Sequence, residues 1–253
     1  MLHNKTKEKL LDGGIVIGTI VDLFLSPALV QILTNAGFDY VFIDTEHGNA
    51  SRGEVFDFIQ ACRMRDITPI LRVAGPVDYL ISKALDMGAQ GLIVPRVASP
   101  EVVKNVVQYS KFPPVGKRGF GTFAPNDFIP GDLSKDIPAL NEELLTIIQI
   151  ESVKAVDQVE EILSVEGVDV AFIGPLDLSI DMGIPGQTDH PELIKLAERV
   201  ISVCKLKKMP VGIFGMQPEV LSGWQKKGIQ FLTCNMVSNM LSQGAGDIVN
   251  KIK

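Results

Sequence analysis

Two short segments hold the acids best placed for chemistry: Ile147-Ile148-Gln149-Ile150-Glu151-Ser152 and Val170-Ala171-Phe172-Ile173-Gly174-Pro175-Leu176-Asp177-Leu178-Ser179. Each is an apolar run rich in β-branched residues, the pattern of a buried parallel strand, and each carries a carboxylate at or just past the strand's end. Glu151 and Asp177 on neighbouring strand ends suit a hard divalent cation, which takes oxygen ligands and commonly only a few carboxylates beside water and substrate. First-turn acids are also favoured by the helix dipole, so either one alone says little, and the pairing is what points to metal.

His47 lies in the acidic turn Asp44-Thr45-Glu46-His47-Gly48, whose carboxylates could fix its tautomer and raise its basicity, and it is the general-base candidate. His3 sits in a polar start and His190 precedes Pro191 at an expected helix start, so neither competes for that role. Arg72 ends an apolar strand, where an unpaired guanidinium would be costly; it should meet a carboxylate of the substrate, or Asp44 or Glu46 in a structural pair. No lysine falls at a predicted strand end, so a Schiff base is not expected, and the electron sink beside a carbonyl would be the metal.

The elements that must position these residues alternate along the chain. Strands are predicted over Gly14–Ile20, Tyr40–Asp44, Thr68–Arg72, Gly91–Val94, Thr146–Ile150, Val168–Ile173, Pro210–Phe214 and Gln230–Cys234, each followed by a helix-compatible stretch. Eight such units in 253 residues with 46% hydrophobic content predict a single (β/α)8 barrel over 1–253, with an open doubly wound sheet as the alternative. Ser26-Pro27 and Ser99-Pro100 supply N-caps followed by a proline suited to the first helical position. In a barrel the strand ends converge on one face, bringing together Asp44 to His47, Arg72, Pro95-Arg96, Gln149, Glu151, Gly174 to Asp177, Phe214 and Asn235. The Pro/Gly-rich stretch from Phe112 to Asp136 reads as a lid or specificity loop. Its Gly116-Lys117-Arg118-Gly119-Phe120-Gly121 lacks the spacing of a phosphate loop.

A net charge of -6 without a Lys/Arg cluster argues against nucleic acid or an anionic membrane as partner. Cys62, Cys204 and Cys234 are far apart and without C-x-x-C spacing, which suggests buried thiols in a reducing cytosol rather than disulfides or a zinc site. The polar start and the lack of any run approaching ~20 apolar residues predict a cytoplasmic protein with no signal peptide or membrane span.

With these residues in view, the chain resembles the HpcH/HpaI aldolase family, the metal-dependent class II pyruvate aldolases. The matching stretches are Phe38 to Gly48, Pro69-Ile70-Leu71-Arg72, Leu85-Asp86-Met87-Gly88-Ala89, Arg118-Gly119-Phe120-Gly121, Gln149-Ile150-Glu151 and Phe172 to Ser179, within about Ile15 to Leu241. The resemblance implies a barrel of the phosphoenolpyruvate/pyruvate-binding type and a reversible aldol cleavage of a 4-hydroxy-2-oxo acid to pyruvate and an aldehyde. It implies that Glu151 and Asp177 bind Mg2+, Mn2+ or Co2+, that Arg72 and Gln149 contact the pyruvyl group, and that backbone at Gly174, Pro175 and Leu176 holds its carboxylate. His47 would be the base, and Asp86 matches an aspartate proposed to pair with the histidine. Asp86 reads, however, as the end of a helix before the fourth strand, so either a neighbouring subunit supplies it or its role is structural. The family also implies a homohexamer with the last helix exchanged between subunits.

The chain departs from the family's usual pattern in two places. Thr122-Phe123-Ala124-Pro125-Asn126-Asp127-Phe128 lacks the usual arginine, and Cys234-Asn235-Met236-Val237 replaces a usual glycine and aspartate. If the loop faces the aldehyde, the preference should shift to short or apolar aldehydes. Oxaloacetate decarboxylation, an acyl-CoA lyase reaction and a non-catalytic pyruvate-binding barrel are the competing expectations.

Overall fold

A computed structural model describes residues 3–121 and 124–253. The chain runs α1 (Lys5–Leu11), β1 (Val16–Val21), α2 (Pro27–Ala36), β2 (Tyr40–Asp44), α3 (Arg52–Met64), β3 (Thr68–Arg72), α4 (Asp78–Asp86), β4 (Gly91–Val94) and α5 (Pro100–Ser110). It continues through α6 (Leu133–Glu143), β5 (Leu145–Ile150), α7 (Val153–Asp157), α8 (Val159–Ile162), β6 (Val170–Ile173) and α9 (Pro175–Asp181). The last elements are α10 (Pro191–Lys207), β7 (Val211–Gly215), α11 (Pro218–Lys226), β8 (Phe231–Met236) and α12 (Val237–Ile252). The strands pair in parallel in sequence order and β8 closes onto β1, so the sheet is a closed eight-stranded barrel. The open-sheet alternative is excluded by that closure. The second, third and fourth predicted strands have the predicted bounds, and the others shift by one or two residues at their ends.

Alternation along each strand divides two cores. Tyr40, Phe42, Ile70, Ile147, Phe172 and Phe231 point into the barrel, while Val41, Ile43, Leu71, Ile148 and Ile173 pack outward against the helices. Both sets are buried, which is why these strands read as unbroken apolar runs rather than as alternating ones. Inside, Tyr40 stacks on Phe231 at 4.3 Å between ring centroids, and Phe172 meets Phe231 edge-on at 5.9 Å. Three rings fit in so narrow a space because β1 and β7 give way: a Cβ at Gly18 would lie 2.2 Å from Tyr40, and one at Gly212 2.8 Å from both Phe172 and Phe231. The Tyr40 ring cannot retreat, since its hydroxyl donates to the Leu232 carbonyl at 2.9 Å and lies 2.7 Å from the Thr233 hydroxyl. Gly18→Ala is therefore expected to cost about 3 kcal/mol, the upper end for overpacking, read as a lower denaturation midpoint with an unchanged slope.

The polar start forms α1, which plugs the N-terminal end of the barrel. Leu10 joins the interior cluster, Asn4 Nδ2 donates to the carbonyls of Gln90 and Glu143, and Thr6 donates to Thr68 at 2.7 Å. Ser26 and Ser99 cap α2 and α5 as expected.

The Pro/Gly-rich loop is not a lid over its own chain's strand ends. Because α5 runs back antiparallel to β4, whatever joins α5 to β5 must cross the N-terminal face. There Arg63 at the end of α3 pairs with Asp127 at 2.7 Å and donates to the carbonyls of Pro125 and Gly88, while Arg118 pairs with Asp86 at 3.2 Å. Thr122 and Phe123, part of the altered loop motif, lie outside the described residues. At the opposite end of the chain, α12 buries none of its side chains and leaves Leu241, Ile248 and Ile252 exposed. No helix among the described residues is long and apolar enough to cross a membrane.

Candidate active site

The ends of β2 and β3 are in register, with Asp44 opposite Arg72. Arg72 donates from Nε to Asp44 Oδ1 at 3.0 Å and from Nη2 to Oδ2 at 2.7 Å, a bidentate pair of which the acid is only 5% exposed. Burial pushes the Asp44 carboxyl up, but the hydrogen bonds and charge of Arg72, with the N–H groups of Glu46 and His47, override it and hold Asp44 below its ordinary range. Those two N–H bonds, at 3.0 and 3.3 Å to Oδ1, also fold the turn that presents Glu46 and His47. Of the partners open to Arg72 in the sequence, the structure selects Asp44, with Glu46 Oε2 further away at 3.5 Å.

His47 projects from this turn with a largely exposed ring, its Nε2 3.8 Å from Glu46 Oε2. That is beyond a hydrogen bond, so the acidic turn surrounds the imidazole without fixing its tautomer. Glu46 itself is buried; its Oε1 lies 2.8 Å from Arg96 Nη2.

Across the barrel mouth, Glu151 follows β5 and Asp177 sits in the first turn of α9, directly after β6, with Gly174 as N-cap and Pro175 first in the helix. Gln149, the last inward-facing residue of β5, donates from Nε2 to Glu151 Oε2, and its own Oε1 is buried without a hydrogen-bond partner among the described residues. The N–H of Arg96 donates to Glu151 Oε1 at 2.6 Å. Burial raises the proton affinity of Glu151, the Arg96 N–H opposes this, and the nearby carboxylates of Asp177 and Glu46 add to it. Glu46, His47, Arg96, Glu151, Ser152 and Asp177 line one cleft of about 440 Å3. A larger hollow of about 870 Å3 lies on the outer wall between α5 and α8, lined by Lys104, Gln108, Glu161 and Ser164, and holds none of these residues.

A family model described as HpcH/HpaI aldolase/citrate lyase matches residues 23–241, from just after β1 into α12. The chain belongs to this family. It is an enzyme of the aldolase kind, a carbon–carbon lyase. It is 32% identical over 250 residues to a 2-keto-3-deoxy-L-rhamnonate aldolase of Escherichia coli K12, covering 98% of this chain and 92% of that protein. Among solved structures it is similar to an HpcH/HpaI aldolase from Desulfitobacterium hafniense DCB-2, with a TM-score of 0.94, 33% identity and coverage of 98% and 96%. It is also similar to the citrate synthase SbnG, with a TM-score of 0.86, 29% identity and coverage of 97% and 96%.

A divalent metal is the cofactor of this aldolase family, and the cleft fits one. Glu151 and Asp177 both line it, burial and mutual charge raise the proton affinity of Glu151, and the Gln149 side-chain oxygen has no hydrogen-bond partner among the described residues. A cation would relieve all three. Among the described residues no three or more His, Cys, Asp or Glu side chains are gathered tightly enough to cage an ion. The protein thus offers two acids and leaves remaining positions to water and substrate, the arrangement usual for Mg2+.

His47, Arg72, Gln149, Glu151, Gly174, Pro175, Leu176 and Asp177 all stand at the C-terminal face of one HpcH/HpaI barrel. Asp86 does not: it ends α4 at the opposite face, paired with Arg118 and 3.9 Å from Lys83. The helix runs antiparallel to the strands, so its last residue points away from its own chain's cleft. Sequence reasoning left Arg96 without a role and gave Glu46 only that of a possible partner for Arg72 or His47, although each is wired into the cleft. Both stood among the strand-end residues, and the unassigned arginine after Pro95 was the available signal.

Proposed function

We propose that this aldolase cleaves a 4-hydroxy-2-oxo acid reversibly into pyruvate and a short, uncharged aldehyde. The observation that carries this reading is the convergence, in a family member, of Glu151 and Asp177 with His47 and Arg72 at one barrel mouth. Glu151 and Asp177 are the ligands, for Mg2+, Mn2+ or Co2+. The cation, when bound, supplies Lewis acidity towards the 2-oxo group. Asp44 takes one hydrogen each from Nε and Nη2 of Arg72, so the Nη1 hydrogens and the second Nη2 hydrogen are what Arg72 offers to a pyruvyl oxygen, in a guanidinium already oriented before substrate arrives. Gln149 contacts the same pyruvyl group, and the backbone at Gly174, Pro175 and Leu176 receives its carboxylate. The Gly174 N–H is committed to the Ile150 carbonyl at 3.0 Å and Pro175 has none, so the donor is the first-turn N–H of Leu176, which has no intrahelical acceptor.

His47 takes the C4 hydroxyl proton, the C3–C4 bond breaks, and its electron pair passes to C3. Reprotonation at C3 then gives the pyruvate methyl. The exposed ring is free to move that proton to solvent between turnovers. His47→Ala should lose a hundred- to ten-thousand-fold in turnover, as expected for a positioned base, while calorimetry shows Mn2+ affinity unchanged. Full activity in the variant would remove His47 from the mechanism.

The chain assembles as a homohexamer in this reading, with α12 exchanged between subunits. The support is that α12 buries no side chain of its own, and that Asp86 and the described residues of the loop, Arg118 to Gly121 and Ala124 to Phe128, could reach a cleft only in a neighbouring copy. With no arginine after Gly121, and with Arg118 tied to Asp86 at 3.2 Å, that loop has no uncommitted guanidinium for a distal carboxylate and carries Phe128 instead. A 2-keto-3-deoxy-L-rhamnonate skeleton, broken between C3 and C4, yields pyruvate and lactaldehyde, a fragment of the expected kind.

The testing experiment is an aldol-direction screen with pyruvate, each metal, and acetaldehyde, lactaldehyde, glyceraldehyde or succinic semialdehyde. Lactaldehyde or acetaldehyde should lead, and chelation should stop turnover. A strong preference for succinic semialdehyde would overturn the loop argument. Faster pyruvate release from oxaloacetate than from any hydroxy-oxo acid would replace the aldol reading with a decarboxylase.

A further inference from the structure

Arg96 serves two carboxylates at once, with a backbone that arginine rarely adopts. It follows β4 and Pro95 with a φ of 59°, in the left-handed region where a Cβ crowds the adjacent carbonyl. In that conformation its N–H reaches Glu151 Oε1 at 2.6 Å while Nη2 reaches Glu46 Oε1 at 2.8 Å. Glu46 is buried, and its other oxygen faces Arg72 Nε at 3.5 Å. Each oxygen of Glu46 therefore has its own guanidinium. An uncommon backbone kept at a barrel mouth points to a role there.

Four acids, Glu46, Glu151, Asp177 and Asp181, line the same cleft; Asp181 accepts from the Val153 N–H at 2.7 Å, and only Glu151 and Asp177 are the proposed ligands. We propose that Arg96 is a positioning residue: its guanidinium holds Glu46 on the Arg72 side, out of the cation's ligand set, and its backbone amide holds Glu151 within it. This rests on the reading of Glu151 and Asp177 as ligands. Without the guanidinium, Glu46 Oε1 is a buried carboxylate oxygen whose nearest remedy is the cation itself. A third carboxylate would tighten the cation's binding, blunt its Lewis acidity and occupy a position that pyruvate needs.

Arg96→Gly separates the two roles, because glycine accepts this φ and keeps the N–H to Glu151. Calorimetric titration of Mn2+ into the metal-free protein should show roughly tenfold tighter binding in Arg96→Gly, the scale on which partners of metal ligands act. Pyruvate should bind the Mn2+-loaded variant about tenfold more weakly, on the same scale. Arg96→Lys should restore both values. In a Glu46→Gln background, where the group that Arg96 holds is no longer a carboxylate, Arg96→Gly should shift neither. Affinities in Arg96→Gly within about twofold of the parent's, or an equal shift in the Glu46→Gln background, would overturn the proposal. Failure of the parent protein to bind Mn2+, or unchanged binding in Glu151→Gln, would instead overturn the ligand reading on which it rests.

Discussion

Glu151→Gln and Asp177→Asn should each lower Mn2+ affinity by about a hundredfold or more and turnover by about a thousandfold or more. The first figure lies beyond what partners of ligands contribute, and the second follows from a Lewis acid worth several kcal/mol at tenfold per 1.36 kcal/mol. The isosteric amides leave shape intact, so thermal stability of the metal-free protein should hold or rise. Glu151 now faces burial and two other carboxylates, a repulsion that the neutral amide removes. That pairing of lost affinity with retained stability is the signature of a cation site. If either variant bound Mn2+ as the parent does, the cleft would not be the metal site.

Arg72→Ala should combine lost activity with lost stability. It strands Asp44 at 5% exposure without its cation, and breaking a buried pair costs about 3–5 kcal/mol. For a chain of this size that is a fall in Tm of about 10 °C. The deficit should depend on pH. In the parent, Asp44 titrates below its unfolded value of about 3.9, so its contribution is complete above that value and is lost as pH falls through the lower folded value. In Arg72→Ala burial dominates and the sign reverses: the penalty is full at neutral pH and relieved once the carboxyl is protonated. The gap between the two proteins should therefore close on acidification through and below about pH 4. An additional Asp44→Asn change should recover part of the lost stability at pH 7 and little of the turnover, because the oriented guanidinium would still be missing. A pH-independent deficit would mean that Arg72 stabilises through packing on Phe42, 5.2 Å away, rather than through Asp44.

The long loop shows where composition misleads. Its prolines and glycines suggest a lid, but a segment that leaves α5 and enters β5 has to lie at the N-terminal face, and connectivity alone places it there. Asp86 obeys the same rule. The first helix is a different case. Lys5 to Leu11 reads as a polar tail because only Leu10 enters the interior, and its helix is secured by Asn4, Thr6 and Lys7 reaching residues far along the chain.

Arg72 and Arg96 mark the boundary between sequence and fold most clearly. That Arg72 needed a carboxylate was legible from charge at the end of an apolar strand, but Asp44 and Glu46 were equal candidates until the β2–β3 register set one opposite it. The left-handed backbone of Arg96 left no trace in residue type, since neither Pro95 nor Val97 demands it. Local periodicity alone determined eight buried strands, their order and the acids at their ends, because a side chain's face depends only on its place within its own strand. Strand pairing in the barrel decided which acid meets which guanidinium and how Glu46 is strapped. Those contacts join residues 26 to 55 positions apart, and no period within one segment encodes them.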